Sequence, residues 1–180
     1  MPSASPPNEH VRRSGATYSP CGLYRYRLWR DWGGGATLLW IMLNPSTADH
    51  LGNNDATIAR CERRAMAWGF SRVEVVNLFA FRTPHPKVLF AAADPVGPGN
   101  DPAILEATEK ADLILCGWGS LGGFAGRAAR VLDMLRGREL ACLGVNRSGE
   151  PTHPLYQPYS ARPTPYRSPP NANRYELEWK

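Results

Sequence analysis

The chain has 180 residues, 43% of them hydrophobic, which is enough for one full core and too few for two comfortable domains. Its 21 basic and 16 acidic residues give a formal net charge of +5, a mild excess that favours polyanionic partners without identifying one. The sequence has no N-terminal apolar stretch and no run of about 20 apolar residues, so it predicts a cytoplasmic protein without a signal sequence or a membrane span. A monomer is also expected.

The cysteines are too far apart to form a familiar ligand set. Cys21, Cys61, Cys116 and Cys142 include no C-x-x-C pair, and no His stands at ligand spacing beside them. Cys116 and Cys142 also lie in apolar runs, where a reduced thiol behaves as a small hydrophobic side chain. We therefore expect neither a metal nor an iron–sulfur cofactor.

Both ends of the sequence are rich in residues that disfavour regular structure. Residues 1–20 combine Pro, Ser and charge, and residues 157–180 contain five prolines, so both are predicted to be flexible tails around a single domain at 21–156. Within the domain, Tyr24–Leu28 alternates as an edge strand would, and three glycines, Gly33–Gly35, turn it into Ala36–Leu43. The pattern predicts an opening β-hairpin.

The run from Leu38 to Asp49 reads as a buried strand that ends in a Pro-stiffened polar turn. Asn54 or Asp55 can then cap a helix that runs to Trp68 and is closed by Gly69. Val73–Phe79 is apolar and β-branched, which is typical of the next core strand.

The second half of the domain repeats this alternation of strands and helices. The predicted elements are a helix at Ala103–Ala111, introduced by Asn100-Asp101-Pro102, a strand at Leu113–Cys116, a helix at Ala125–Leu135 and a strand at Leu140–Val145. Strands that alternate with helices form right-handed βαβ units. The sequence therefore predicts an α/β fold, a three-layer α/β/α sandwich whose mostly parallel sheet has about four core strands plus the N-terminal hairpin strand.

Polar or aromatic residues follow each of the four predicted core strands. They are Asn44, Asn77, Trp118 and His153, and the carboxyl ends of parallel strands meet at one edge of the sheet. Four such groups on one rim would make a pocket. Each also has a purely structural interpretation: a turn cap, a buried amide that satisfies backbone, a core ring and a packed histidine.

Gly117–Gly122 matches the G-x-G-x-x-G pattern between a strand and a helix. A dinucleotide site also needs an acidic residue after the following strand, but that strand ends in Val145-Asn146-Arg147. The unit is moreover the last of the fold and not the first. Strand-to-helix packing with some ligand contact is the favoured interpretation, and a nucleotide-cofactor enzyme remains an alternative.

Arginines are scattered along the chain and could contact phosphates, with Tyr156 or Tyr159 as stacking partners. Scattered arginine is equally typical of a solvated surface. The arginines in question are Arg12, Arg13, Arg25, Arg27, Arg30, Arg60, Arg63, Arg64, Arg82, Arg147 and Arg162.

Five segments resemble the bacterial and phage domain-of-unknown-function family 1643. They are LNPSTAD at 43–49, NLFAFR at 77–82, PVGPGND at 95–101, GWG at 117–119 and HPLY at 153–156. The resemblance covers about Tyr24 to Tyr156 and implies no established activity.

The layout of these motifs also resembles, more distantly, the uracil-DNA glycosylase superfamily. An Asn-Pro turn follows the first core strand, an Asn ends the next, Trp-Gly follows the third and His-Pro the fourth. The resemblance implies hydrolysis of an N-glycosidic bond in DNA without a metal or cofactor. It implies that Asn44 positions water, Asn77 reads the base edge and His153 hydrogen-bonds the leaving base. Apart from the resemblance, Asp49 or Asp55 could assist as a general base if it turns inward.

The remaining candidate contacts come from the same motifs. Leu155 or Tyr156 could wedge into the base stack while a nucleotide is flipped out, and the other assigned contacts are Pro45, Ser46, Arg82, Asn100, Asp101 and Gly119. The chain has Ser46 where mismatch-type glycosylases have Gly, and HPLY lacks the small residue that commonly follows His-Pro. These differences keep open a second function, a module that binds nucleic acid, a nucleotide or a base without cleaving it.

Overall fold

A seven-stranded mixed sheet forms the centre of the protein in the computed structural model, which describes residues 12–167. The strands lie in the order β1-β2-β4-β3-β5-β6-β7, and the central β4, β3, β5 and β6 are parallel. The prediction of a mostly parallel core of about four strands is confirmed. The strands are β1 Arg13–Tyr18, β2 Arg25–Asp31, β3 Thr37–Met42, β4 Arg72–Asn77, β5 Leu113–Cys116, β6 Ala141–Cys142 and β7 Thr164–Pro165.

Helices cover both faces of the sheet, as the predicted three-layer sandwich requires. Successive side chains of β3 point to opposite faces. Trp40 packs in one core cluster with Ile58 of α1, whereas Ile41 packs in the other with Ile104 of α3 and Val131 of α4. The helices are α1 Ala56–Ala67, α2 Pro86–Ala91, α3 Asn100–Glu109 and α4 Arg127–Met134, and short 3-10 segments occupy Ser120–Gly126 and Pro154–Tyr156.

Helix α1 begins and ends where its capping residues predict. The Asp55 carboxylate accepts a hydrogen bond from the backbone N–H of Ile58 at 2.9 Å, which satisfies one of the free donors of the first turn. After the C-cap Trp68, Gly69 adopts a left-handed φ of 83°, a conformation that costs glycine little. This helix brings Asp55 to the carboxyl edge of the sheet.

The N-terminal hairpin exists, but it is formed by β1 and β2 and not, as predicted, by β2 and β3. Strand β2 pairs with β1 on one side and with β4 on the other, both antiparallel, and β3 lies between β4 and β5. The three glycines at 33–35 therefore connect two strands that are separated by β4. The pairing of β2 with β3 was predicted wrongly because two strands that follow each other in sequence need not be neighbours in the sheet.

Parts of both predicted tails form strands. In β1, Gly15 lies opposite Trp29, and a Cβ atom at Gly15 would come within 2.0 Å of the Trp29 ring, so the missing side chain makes room for the indole. In the C-terminal segment, β7 pairs with β6. The remaining tail residues, 1–11 and 168–180, lie outside the described residues.

Among residues 12–167, none of the helices has the length and apolar character needed to cross a membrane.

Candidate functional site

A pocket of about 570 Å³ opens at the carboxyl ends of the parallel strands. Strand β4 lies on one side of β3, and β5, which comes later in the sequence, lies on the other side. Such a switch in strand order leaves a crevice at the carboxyl ends of the strands, where α/β proteins bind ligands. The lining of the pocket includes residues at the ends of β3, β4 and β5 and in the loops after them, the start of α1, and Thr152, His153, Tyr156 and Gln157.

The structure brings together about half of the predicted site residues. Those that line the pocket are Asn44, Ser46, Asn77, Trp118, Gly119, His153 and Tyr156. Those that lie outside its lining are Pro45, Asp49, Arg82, Asn100, Asp101 and Leu155.

The side chain of Asn44 both holds its turn and faces the pocket. Its amide nitrogen donates to the carbonyl oxygens of Pro45 at 3.1 Å and Thr83 at 2.7 Å. Within residues 12–167, no hydrogen bond uses its Oδ1 atom. The fixed amide therefore leaves one acceptor for a water molecule or a ligand.

Asn77 is a buried amide without a complete set of partners. The residue is 1% exposed, and its Nδ2 atom has no hydrogen-bond partner among the described residues. Leaving such a donor unsatisfied costs about 1–3 kcal/mol. Asn77 lines the pocket, and a ligand acceptor that reached this buried Nδ2 atom would remove this cost.

His153 is held as a neutral hydrogen-bond donor. Its Nδ1 atom accepts a hydrogen bond from the backbone N–H of Leu155 at 3.2 Å, which leaves the ring proton on Nε2. Burial lowers the pKa of His153 below its ordinary value of 6.5, although the Asp55 carboxylate partly opposes this effect. At neutral pH the ring therefore offers Nε2–H without carrying a charge.

The lowered pKa of His153 predicts a loss of stability in acid. Between pH 6.5 and the lower folded-state pKa, the unfolded chain binds a proton at this residue and the native protein does not, so the free energy of unfolding decreases as the pH falls. Urea unfolding at pH 7.5 and 5.5 should show a larger loss for the wild type than for His153→Ala. Equal losses in the two proteins would contradict this assignment.

Arg25 and Asp55 complete the charged part of the lining, and the sequence did not single out Arg25. Arg25 is 2% exposed and donates to the Ala48 carbonyl at 2.6 Å, and burial lowers its pKa to about 10, so it stays cationic at neutral pH. Only the antiparallel pairing of β2 with β4 brings it to this edge, where its backbone N–H donates to Ala80. No local signal distinguishes it from Arg27.

The two roles of Asp55 can be separated by substitution. Asp55→Ala should lower the free energy of unfolding by about 1 kcal/mol because it removes the helix cap, whereas Asn caps helices nearly as well as Asp. Asp55→Asn should therefore unfold within about 0.5 kcal/mol of the wild type. Urea denaturation measures this difference, and a stability loss in the Asn variant as large as in the Ala variant would show that the charge itself stabilises the fold.

Asp49, a candidate general base, instead organises its own loop. Its carboxylate accepts hydrogen bonds from the backbone N–H groups of Leu51 and Asn53 and from the side chain of Asn53, at 2.7–3.1 Å. These bonds satisfy donors of the loop after β3. The Asp49 side chain is thus used within the loop, and the residue lies outside the pocket lining. Asp55 is the carboxylate that lies on the pocket.

Asn100 and Asp101 support the loop after β4 from behind the pocket. The amide nitrogen of Asn100, a fully buried residue, donates to the carbonyl oxygens of Asn77 and Leu78, each at 3.0 Å. Asp101 pairs with Arg127 at 2.5 Å, and Arg127 also donates to the Leu78 carbonyl. Asn100 therefore holds the backbone of Asn77, whereas Asp101 acts through Arg127 on Leu78, and neither residue lines the pocket.

The other candidates outside the lining have contacts of their own. Arg82 is exposed, lies over the Tyr18 ring at 4.9 Å and donates to the carbonyl of Gly22. Pro45 is buried, and its carbonyl receives the Asn44 amide and the Thr83 N–H. Leu155 contributes the backbone N–H that fixes His153.

The glycines of the Gly117–Gly122 loop are explained by packing within the chain. A Cβ atom at Gly122 would come within 2.0 Å of Trp118, and one at Gly117 would come within 3.1 Å of both Trp40 and Pro154. Gly119, which lines the pocket, has a left-handed φ of 74°. Its neighbour Trp118 is held by an indole N–H bond to Glu150 at 2.5 Å, so the ring forms a fixed wall.

Within the part of the chain that the structure describes, no three His, Cys, Asp or Glu side chains cluster in a way that could hold a metal ion. The polar groups that converge on the pocket are instead amides, hydroxyls, a neutral imidazole, one carboxylate and one guanidinium. Such a set recognises an organic ligand through hydrogen bonds and charge.

No curated protein and no solved structure matches the chain. A family model described as "Protein of unknown function (DUF1643)" matches residues 25–155. The matched region begins at Arg25 and ends two residues beyond His153, so it contains every residue of the pocket lining except Tyr156 and Gln157. Since it also covers more than half of the sequence, the chain belongs to the DUF1643 family.

Proposed function

We propose that the protein removes a nucleobase from DNA by hydrolysing the N-glycosidic bond, with the base bound in the pocket at the carboxyl edge of the sheet. The observation that carries this proposal is the pairing of a neutral His153 donor with the unpartnered amide of Asn77 in one pocket. The layout that resembles the uracil-DNA glycosylases agrees with it.

The leaving base is the main chemical problem of this reaction. When the bond breaks, its electron pair moves onto the base, and positive charge develops on the sugar. A fixed donor at a base oxygen lowers the barrier because it stabilises the developing negative charge in a site shielded from water. His153 Nε2–H serves as that donor, and Arg25 adds a positive field from the same lining.

Asn77 would select the base that enters. Its free Nδ2–H needs an acceptor, and a base edge that offers one would satisfy a buried group that is otherwise unpaired. A base without an acceptor at this position would leave the Asn77 donor unpaired, and the free-energy cost of that donor would remain. Recognition of this kind requires that the nucleotide be rotated out of the duplex or presented in a single strand.

The attacking water would be oriented by Asn44 and deprotonated by Asp55. The Asn44 amide is fixed by two backbone carbonyls, so its oxygen can hold water in one direction. Water adds to the sugar carbon as the base departs, and its proton passes to the Asp55 carboxylate. Asp55 thus takes the role that the sequence had given first to Asp49.

A non-catalytic binding module is the second candidate, and the position of Ser46 favours it. Ser46 lines the pocket at the Asn-Pro turn, where a side chain takes up room beside the candidate water site. A module of this kind would bind DNA in a salt-dependent way without forming product. The third alternative, a nucleotide-cofactor enzyme, would show a thermal shift with nicotinamide or nucleotide cofactors.

The deciding experiment uses labelled oligonucleotides that carry uracil, mismatches or modified pyrimidines, in single- and double-stranded form. The protein is incubated with each, and abasic sites are scored by alkali cleavage. Cleavage by the wild type that is lost in His153→Ala would support base excision. Intact DNA in every case would rule it out, binding without cleavage would favour the module, and the absence of both would point to a small nucleotide ligand.

A further inference from the structure

Four arginines gather around one tyrosine beside the pocket. Arg60, Arg63 and Arg64 of α1 place their guanidinium carbons 4.3, 5.5 and 5.1 Å from the centre of the Tyr159 ring. Arg162 joins them by donating to the Tyr159 carbonyl at 3.3 Å. These four arginines are named the Tyr159 arginine cluster below.

The cluster holds more positive charge and more donors than its surroundings satisfy. Arg60 and Arg64 both donate to the carbonyl of Gln157, at 2.6 and 2.7 Å, and Arg64 also donates to that of Pro158. Three of their buried nitrogens, Arg60 Nε and Arg64 Nε and Nη1, have no partner among the described residues. No carboxylate within residues 12–167 forms an ion pair with any of the four arginines.

Like charges held this close repel one another, and Arg60 and Arg162 act on Arg64 in this way. Burial, with a further contribution from Arg60 and Arg162, lowers the pKa of Arg64. The Tyr159 ring offsets part of the repulsion through cation–π contacts. An anion that reached the exposed guanidinium groups of Arg63 and Arg162 would offset far more.

The cluster adjoins the mouth of the pocket. Gln157, whose carbonyl receives Arg60 and Arg64, also lines the pocket, as do Tyr156 and, three residues before Arg60 on α1, Thr57. A DNA strand with one base in the pocket would therefore carry its neighbouring phosphates across this surface.

We propose that the Tyr159 arginine cluster binds the sugar–phosphate backbone of the DNA strand whose base enters the pocket. The proposal extends the proposed function, since it names the polymer and the surface that holds it. Arginine forks match phosphate oxygens. Guanidinium donors that pair with no carboxylate of residues 12–167 lie here beside the exposed rings of Tyr156 and Tyr159, a combination that suits a nucleic-acid strand.

The test measures DNA binding and not cleavage, in the His153→Ala background. Fluorescence anisotropy with a labelled oligonucleotide, read from about 50 to 200 mM salt, gives the affinity and its salt slope. Arg63→Gln with Arg162→Gln removes two exposed cations and leaves Arg60 and Arg64 to hold the chain. Arg136→Gln with Arg138→Gln is the matched control, because these exposed arginines lie beyond α4, at the opposite edge of the sheet.

The first pair should weaken binding at least about 10-fold at low salt and make the salt slope shallower by about one for each arginine removed. The control pair should change both the affinity and the salt slope by less than the first pair does. The proposal is overturned if the wild-type surface binds no DNA at low salt, if both pairs weaken binding equally, or if a matched RNA binds more tightly. This experiment does not measure cleavage, so its result does not depend on whether the protein excises bases. Conversely, a failure of the cluster to bind DNA would not contradict a positive base-excision assay.

Discussion

His153→Ala should reduce the rate of base excision by about 10²–10³-fold, the usual effect of removing one donor that faces a developing negative charge. The loss follows from the arrangement of the ring, whose Nδ1 is occupied by the Leu155 N–H and whose remaining proton is on Nε2. Single-turnover cleavage with protein in excess measures the chemical step without the contribution of product release.

Two variants separate the role of His153 from a general effect on folding. His50→Ala is the matched control, since His50 is an exposed histidine that contacts only the edge of Tyr18 in the described ring pairs. His153→Gln retains a side-chain N–H donor and should recover part of the rate. A rate in folded His153→Ala equal to that of the wild type would contradict the assignment of this site.

Asn100→Ala should lower the free energy of unfolding by about 2–3 kcal/mol, although Asn100 touches no ligand. Its amide satisfies the carbonyls of Asn77 and Leu78 in a fully buried position, and alanine would leave both acceptors without that donor. The amide oxygen of Asn100 is itself buried without a partner among the described residues. Its removal is favourable and offsets part of the lost stability, so we expect the decrease in the free energy of unfolding not to exceed about 3 kcal/mol.

Urea unfolding measures this change, with Asn53→Ala as the control. Asn53 is exposed, and its side chain bonds only to Asp49, so its removal should cost less than about 1 kcal/mol. A similar cost for both variants would show that the buried carbonyls find other donors. Ligand affinity should also fall in Asn100→Ala, because the backbone of Asn77 loses its support.

The core of the fold could be predicted because its signals are local. Leu113–Cys116 was predicted with the bounds that the structure has, since a short apolar run between Asp112 and Gly117 has a clear pattern. Asp55 and Gly69 marked the ends of α1 through the chemistry of helix caps. The pairing of β2 with β4 could not be found in this way, because it depends on a register between residues more than forty positions apart, such as Leu28 and Val75.

The pocket was predictable to the extent that the strand ends define it. Asn44, Asn77, Trp118 and His153 converge because parallel strands end at one edge. Asp49 and Asp55 could not be separated by spacing, since both carboxylates follow the same strand and only the hydrogen bonds of the loop show which one turns toward the pocket.

Helix α1 ties together parts of the pocket that would otherwise move separately. Its first turn supplies Thr57 and Ile58 to the lining, and its later turns hold the carbonyls of Gln157 and Pro158 through Arg60 and Arg64. Widening the entrance at Tyr156 would require these bonds to break. These bonds restrain the entrance before any ligand arrives, so we expect binding to lose little conformational entropy and selectivity to depend on shape more than on closure.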